Sequence, residues 1–597
     1  MNLGLPYWVK NKGKGGFLNS GEYGLKENEV ARLVDSQTGF VFYYAFDPRT
    51  RVGPFVGPDI NMPNCGIRSV AGAVYNVGFK NTRVVFGPWN PNFDFRAARL
   101  NGEIPEVFGI GSMQINEADA HKKIEQATDL GTSRPLIIGG GPHANYQAEE
   151  YFSRNPSKSV DVAVRGESYV LLSLLEAILL NKGKTETMLQ GFERARREGA
   201  LQSIPGLMYI SDDREVLVDT GKQRQVADLD ELPREIIGLG LLEQRHDGKG
   251  LYPIPVSLDK LRKNGTKIVS TITSHGCNFR CEYCPIPKMH QFTERAKSPE
   301  RMVSDIKEIL ENVGKVSIFG TDDNSFAFPR RYIESLYGAM ASATANGRSF
   351  RDALFYGTEA TEHQVDLNSD LMPLLRDAGV RALWFGIEDL TADLVKKGQT
   401  PDKTTRLFHI MTKHGIAPMP MMMHYDGQPL RSEAGSLEGI LDQVEFLEKH
   451  GAQSMQVTYN TPSIGSDDFP KHFERGTVFS KIGDMFREWY LFDGNHVVST
   501  KEPDPLGRQN NLLVCYERFY NPRKLLRSAL DYIKANLTRD GVAKDIAEVA
   551  LTLQIYGRKG LEISKTNLRE WRNNLATRVY EFANSVPRSD IPLVSVG

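Results

Sequence analysis

The sequence predicts an α/β protein built from two successive strand–helix modules and a helical tail. Three observations predict it. Five short apolar runs alternate with helical patterns between residues 38 and 185, six more do so between 261 and 474, and strand signals then give way after 475 to charged and apolar residues at helical spacing. Strands that alternate with helices call for parallel sheets, with ligands at the carboxyl ends of the strands.

The composition agrees. The chain has 597 residues, 40% hydrophobic and 25% charged, ordinary for globular protein, and suggests several units of about 150 residues. A net charge of −1 argues against nucleic acid as a partner. The longest apolar stretch, 170–180, is interrupted by Ser173 and Glu176 and is about half a membrane span, so no transmembrane segment is expected. Residues 1–14 lack the apolar core of a signal peptide. Three of the five cysteines sit in one motif, which excludes a disulfide scaffold and fits a reducing, cytoplasmic compartment.

Residues 1–37 form an arm without assignment. In the first module, 38–185, strands are expected at 39–45, 82–86, 106–110, 135–138 and 160–164, and helices at 67–78, 118–130, 148–154 and 169–182, giving a doubly wound parallel sheet. The fourth strand runs into Gly139, Gly140, Gly141, Pro142 and His143, where glycines let backbone approach a bulky ligand closely; the alternative is a tight turn without a ligand. The fifth strand ends in Gly166 and Glu167. Residues 186–260, with Pro205, Pro233, Pro253 and Pro255, read as a connection between modules.

The second module, 261–474, opens with a strand at 268–273 that leads to Cys277, Cys281 and Cys284, spaced C-x3-C-x2-C. Three thiolates grip three corners of a cubane iron–sulfur cluster and leave the fourth iron open to a small molecule. A zinc site would need a fourth ligand, for which His275 and His290 are near enough in sequence. No other group of cysteines exists to hold a second cluster. Further strands are expected at 315–319, 353–357, 382–387, 419–423 and 454–458, making a partial (β/α)6 barrel with its chemistry at the carboxyl ends. Asp322, Asp323, Asn324, Glu359, Glu388, Asp389, His424, Tyr425, Tyr459 and Asn460 fall there. Met419, Met421, Met422 and Met423 read as core filling. In 475–597, helices at 522–536, 542–556 and 567–583 form a cap, entered through 515–522; Cys65 and Cys515 read as small buried hydrophobes.

The cysteine spacing, with Tyr283 directly before the third cysteine, resembles the radical SAM enzymes. The resemblance implies a 4Fe–4S cluster on the three cysteines, S-adenosyl-L-methionine (SAM) on the open iron through its amino and carboxylate groups, and the Tyr283 ring beside adenine. Gly320 to Asp323 takes the place of a Gly-Gly-Glu turn that receives the SAM amino group, and Glu388, with Glu359 as a weaker candidate, brings an acid near SAM. Carboxylates suit an ammonium and ribose hydroxyls; structural salt bridges at a barrel rim are the rival reading.

Residues 135–144, Glu149, Glu150 and 161–167 are similar to the cobalamin-binding domain that precedes the barrel in cobalamin-dependent radical SAM enzymes. That implies cobalamin held by Gly139, Gly140, Gly141, His143, Gly166 and Glu167, the glycine loop wrapping the nucleotide tail. The D-x-H-x-x-G pattern of many cobalamin proteins is missing. Asp119-Ala-His-Lys-Lys-Ile124 lacks the glycine and reads as a helix start, with Glu117 and Asp119 favoured by the macrodipole. The resemblance therefore implies cobalt without a lower His, with Arg68 as a cation beneath it or else a surface residue at a helix start.

Domain order resembles the methyltransferase-like subfamily. It implies hydrogen abstraction from an unactivated carbon by a 5′-deoxyadenosyl radical, then methyl transfer from methylcobalamin, with the cap keeping the radical from water. Implied partners are a small-molecule or peptide substrate and an external electron donor such as flavodoxin or ferredoxin. The alternatives are cobalamin-dependent radical oxidation, cyclisation or rearrangement, a non-catalytic cobalamin-binding sensor, and a zinc-stabilised interaction protein.

Overall fold

Phe40–Tyr44 (β1), Thr82–Phe86 (β2), Val107–Gly111 (β3), Leu136–Gly140 (β4) and Val162–Val164 (β5) are the five strands expected before residue 185, and in the computed structural model all five are parallel. The structure describes residues 16–50, 62–153, 156–243, 268–314, 316–321, 324–433, 436–475, 477–478, 485–521, 523–524 and 593–595. Nearly every residue of these strands is buried, because helices cover both faces of a parallel sheet. The order is β2-β1-β3-β4-β5. Winding reverses between β1 and β3, which opens a crevice at their carboxyl ends. Helix Glu117–Thr128 starts with Glu117 and Asp119 in its first turn. Asp119 accepts from the Tyr43 hydroxyl at 2.8 Å and the Phe46 amide at 3.0 Å.

Part of the arm is placed. Helix Glu22–Ala31 packs on helix Ser168–Asn181, with Tyr23 Oη and Ser168 Oγ 2.8 Å apart.

The region 186–260 is more than a connection. Leu207–Ile210 (β6) and Leu217–Asp219 (β7) form an antiparallel hairpin that extends the first sheet beyond β5. Leu207, Met208, Tyr209 and Leu217 are buried there, so the hairpin completes the core and blunts an edge. Helix Glu235–Gly240 then lies against helix Cys65–Asn76. A Cβ on Gly238 would stand 2.5 Å from the Arg68 carbonyl oxygen, so only glycine permits this approach.

Ile268–Ile272 (β8), Ser317–Thr321 (β9), Phe355–Ala360 (β10), Val380–Glu388 (β11), Ala417–His424 (β12) and Gln456–Tyr459 (β13) make a second, parallel sheet in chain order. This is the expected half-barrel. Along the strands Val269, Ile318, Leu383, Phe385, Ile387, Met422 and Val457 are buried against helices such as Pro299–Val313 and Arg330–Ser342. Their alternates Phe319, Trp384, Glu388, Met421, Met423 and Thr458 are half-buried on the concave face. The methionines therefore divide: Met422 is core, whereas Met421 and Met423 face the lumen.

A buried ionic network joins the two sheets. Arg68 Nη2 donates to the Ser270 carbonyl of β8 at 2.5 Å, and Arg68 Nη1 lies 3.6 Å from Glu235 Oε2. Glu235 Oε1 accepts from the Ile272 amide at 3.0 Å and from Lys297 at 3.2 Å, and Lys297 also meets Asp305 at 2.9 Å. Burial this deep is tolerated because every charge has an opposite partner.

After the barrel, the 3-10 helix Met485–Phe492 returns to the first module, where Trp489 Nε1 donates to Glu150 at 2.9 Å. Helix Pro505–Phe519 closes the open edge of the second sheet. Tyr516 and Tyr520 donate to the carbonyls of Val457 and Met455, at 2.7 and 2.6 Å. Leu593–Ser595 (β14) pairs with β7. The helices expected at 542–556 and 567–583, and nearly all of the one at 522–536, lie outside the described residues. Among the described residues no helix is long and apolar enough to cross a membrane.

Candidate active site

The cysteine loop is shaped by its ends. Ser274–His275 pairs with Arg295–Ala296 in a short ladder, and Gly276 follows with φ +92°. A Cβ there would stand 1.8 Å from the Thr293 carbonyl oxygen, so glycine is obligatory. Cys277, Cys281 and Cys284 follow, all half-buried and none in a disulfide. Burial pushes the Cys284 thiol up to about 12, the neighbouring Cys281 and Cys277 add to it, and Lys397 opposes it. Such a thiol ionises readily only on a metal. Among the described residues no three His, Cys, Asp or Glu side chains are grouped to hold a single metal ion. His275 stacks on His290, ring centroids 4.8 Å apart.

The carboxyl ends of the barrel strands surround this loop. Glu388 ends β11 with φ +63°, after a register shift at Gly386, a conformation that costs a non-glycine residue about 1–3 kcal/mol. Its Oε1 lies 2.8 Å from Lys397 Nζ, which also donates to the Gly386 carbonyl at 3.3 Å and stands 5.7 Å over the Tyr283 ring. Burial works against the Lys397 charge, but Glu388, Cys281 and Cys284 outweigh it and raise its pKa. Burial, then Glu388 and Cys281, hold the Tyr283 phenol far above its ordinary range, so it is neutral. Glu388 and Tyr283 thus lie together beside the cysteine loop. Lys397 was not anticipated, and nothing local in the sequence marks it.

Asn324 Nδ2 lies 3.9 Å from Cys277 Sγ and 2.6 Å from Gln364 Oε1. Glu359 pairs in register with Trp384 on the concave face, and its carbonyl accepts from Ser325 Oγ at 2.7 Å. Gly320 serves packing: a Cβ would stand 2.2 Å from the Tyr356 hydroxyl. Asp322 and Asp323 lie outside the described residues.

On the first sheet the three glycines differ. A Cβ on Gly139 would press on Tyr151 at 3.1 Å, whereas one on Gly140 would meet nothing nearer than 3.9 Å. Gly141, with φ +82°, sits 2.9 Å from the Ser112 backbone by the same measure. His143 is fully buried against Tyr151, 3.5 Å from Glu150 Oε2, and neither ring nitrogen has a hydrogen-bond partner. Burial, partly opposed by Glu117, pulls its pKa down to about 4. Gln147 Oε1 is also buried without a partner. A glycine edge at the switch crevice, backed by unsatisfied donors and acceptors, fits the polar tail of a large ligand.

Three expected ligand contacts are instead structural. Arg68 is engaged by Ser270 and Glu235, because helix Cys65–Asn76 turns that face toward the barrel. Gly166 is filled against Gln223, where a Cβ would stand 2.3 Å from its side chain. Glu167 Oε1 pairs with Arg295 at 2.7 Å, and its Oε2 accepts from the Val226 amide at 2.7 Å.

The two candidate cofactor loops touch. Tyr146, in the helix Gly141–Gln147 that leaves the glycines, donates its hydroxyl to the Pro285 carbonyl, next to Cys284, at 3.0 Å. From the other side the Asp468 amide donates to the Glu282 carbonyl at 2.9 Å.

Residues 271–434, which hold the cysteine loop and its surroundings, match the radical SAM superfamily. That segment is a radical SAM domain. The chain is also similar to cytidylyl-2-hydroxyethylphosphonate methyltransferase of Streptomyces wedmorensis, 23% identical over 390 residues, covering 63% of this chain and 68% of that protein. Among solved structures, the radical S-adenosylmethionine methyltransferase TsrM from Kitasatospora setae, with cobalamin and a 4Fe–4S cluster bound, superposes with a TM-score of 0.54 at 15% identity, covering 89% of this chain and 100% of that one. The cobalamin-dependent S-adenosylmethionine radical enzyme OxsB, with aqua-cobalamin bound, gives 0.52 at 14% identity, covering 93% of this chain and 85% of that one. At such identities the two structures speak for the fold: a doubly wound domain ahead of a radical SAM half-barrel.

Proposed function

We propose that this chain is a cobalamin-dependent radical SAM methyltransferase that places a methyl group on an unactivated carbon of a small-molecule or peptide substrate. The observation that carries this reading is the junction of the cysteine loop with the glycine edge, through Tyr146 and Pro285. It sets two candidate cofactor sites side by side, on a chain similar to a methyltransferase over 63% of its length.

When bound, the cluster with SAM supplies a 5′-deoxyadenosyl radical, and cobalamin supplies the methyl group. The residues hold, orient and exclude. Cys277, Cys281 and Cys284 would ligate the cluster. Glu388, fixed by Lys397, offers a carboxylate to the ammonium or ribose of SAM, and Tyr283 offers adenine an aromatic face. Gly140, Gly141, His143 and Gln147 would meet the cobalamin tail. Phe319, Trp384, Met421 and Met423 line the lumen with groups that do not hold water, which a carbon radical requires. The reading also assigns an external electron donor, such as flavodoxin or ferredoxin, a cytoplasmic setting and no role for nucleic acid.

The test is anaerobic purification with iron, sulfide and cobalamin supplied. About four irons per chain with one cobalt is expected. Replacing all three cysteines by Ala should remove iron and SAM cleavage while sparing cobalt. Four irons without cobalt would end the methyltransferase reading. Product mass separates methyl transfer from oxidation, cyclisation or rearrangement.

A further inference from the structure

We propose that Asn324 is a positioning residue that sets the reduction potential of the cluster, through an N–H···S hydrogen bond to Cys277. The inference rests on the reading of Cys277 as a cluster ligand. Asn324 is fully buried, three residues after β9 ends at Thr321. Its Nδ2 sits between two acceptors, Gln364 Oε1 at 2.6 Å and Cys277 Sγ at 3.9 Å. Gln364 Oε1 also receives the Thr361 hydroxyl at 2.6 Å, and helix Glu362–Leu367 fixes the Gln364 backbone.

Which end of the amide faces the sulfur follows from chemistry, since oxygen and nitrogen are assigned from the network. A ligating sulfur is a thiolate and only accepts. Turning the amide would set the Asn324 carbonyl oxygen against that negative sulfur, so the NH2 with its two hydrogens belongs there. One hydrogen is used by Gln364 and the other is left for Cys277. Charge on the sulfur strengthens and shortens such a bond.

The other two cysteines are served differently. Lys397 acts electrostatically on Cys281 and Cys284, so an ammonium attends two corners and a neutral donor the third. Hydrogen bonds to ligating sulfurs favour the more electron-rich, reduced cluster and are one of the determinants of its potential. A potential raised at Cys277 eases delivery of the electron on which SAM cleavage depends.

Wild type, Asn324→Ala and Gln364→Ala, each reconstituted anaerobically, are followed by electron paramagnetic resonance through a stepwise reductive titration. Asn324→Ala is expected to weaken reduction about tenfold, a shift of about 59 mV to more negative potential for one electron. Gln364→Ala, which keeps the amide but frees it, shifts less in the same direction. Full iron content with an unmoved midpoint in Asn324→Ala overturns the proposal. If that variant takes up no iron, an unmoved midpoint in Gln364→Ala overturns it instead. A wild type without a four-iron cluster fails the parent reading and this proposal together, and the iron and sulfide counts identify that case before any titration.

Discussion

Lys397 Nζ lies 2.8 Å from Glu388 Oε1, and both side chains are almost withdrawn from solvent, at 11% and 12% exposure. Breaking a buried pair by removing one partner costs more than the pair itself contributes, because a charge is stranded. Lys397→Met should therefore destabilise the protein by about 3–5 kcal/mol in denaturant unfolding. Adding Glu388→Gln should recover much of the loss. Additive losses in that double-mutant cycle would show that the two groups are not coupled.

Arg68, read from the sequence as a cation beneath a cofactor or a surface residue at a helix start, is found buried between the two sheets. Arg68→Ala leaves the Ser270 carbonyl without its donor and weakens the Glu235 network, at a cost of about 1.5–3 kcal/mol. Cobalamin uptake, read by absorbance, should survive. Lost uptake at unchanged stability would return Arg68 to the ligand site.

Gly140 and Gly141 are neighbours with opposite tolerances. Gly141→Ala forces a Cβ to 2.9 Å from Ser112 at φ +82° and should cost about 1–3 kcal/mol, with reduced cobalt content and normal iron. Gly140→Ala meets nothing nearer than 3.9 Å on the protein side and should fold as wild type; equal losses in both would sink the distinction.

Stability against pH has two buried sources of opposite sign. Burial raises Glu362 from 4.5 to about 7. The stability it provides is complete below 4.5 and fades as pH rises through 7. Glu362→Gln should thus gain up to about 3 kcal/mol over wild type at pH 8 and little at pH 4. His143 and His424, held down to about 4 and about 3 by burial, stay neutral in the folded chain while the unfolded chain takes up protons below about 6.5. Stability is therefore lost as pH falls from there, and His143→Gln should flatten that acid limb in thermal unfolding.

The strands could be read because parallel strands buried on both faces are short apolar runs, and the cysteine spacing could be read because its ligands are local. The hairpin β6–β7 escaped, since two brief strands among prolines and charges look like a connection. Site residues failed wherever a partner is distant. Arg68 and Ser270 are 202 positions apart, and nothing around Arg68 tells a reader that β8 will claim it before any ligand does. Glu167 has the same history with Arg295. Lys397 shows the converse, an unremarkable lysine made important by the bulge that points Glu388 at it.

The contact of Tyr146 with Pro285 bears on how the protein matures. The helix that begins at the glycine edge holds the backbone beside Cys284 in place, and the segment around Asp468 holds the same loop from beyond the barrel. The loop that would receive iron is thus held by contacts from both neighbours. A barrel produced alone inherits the three cysteines but not the grip that spaces them.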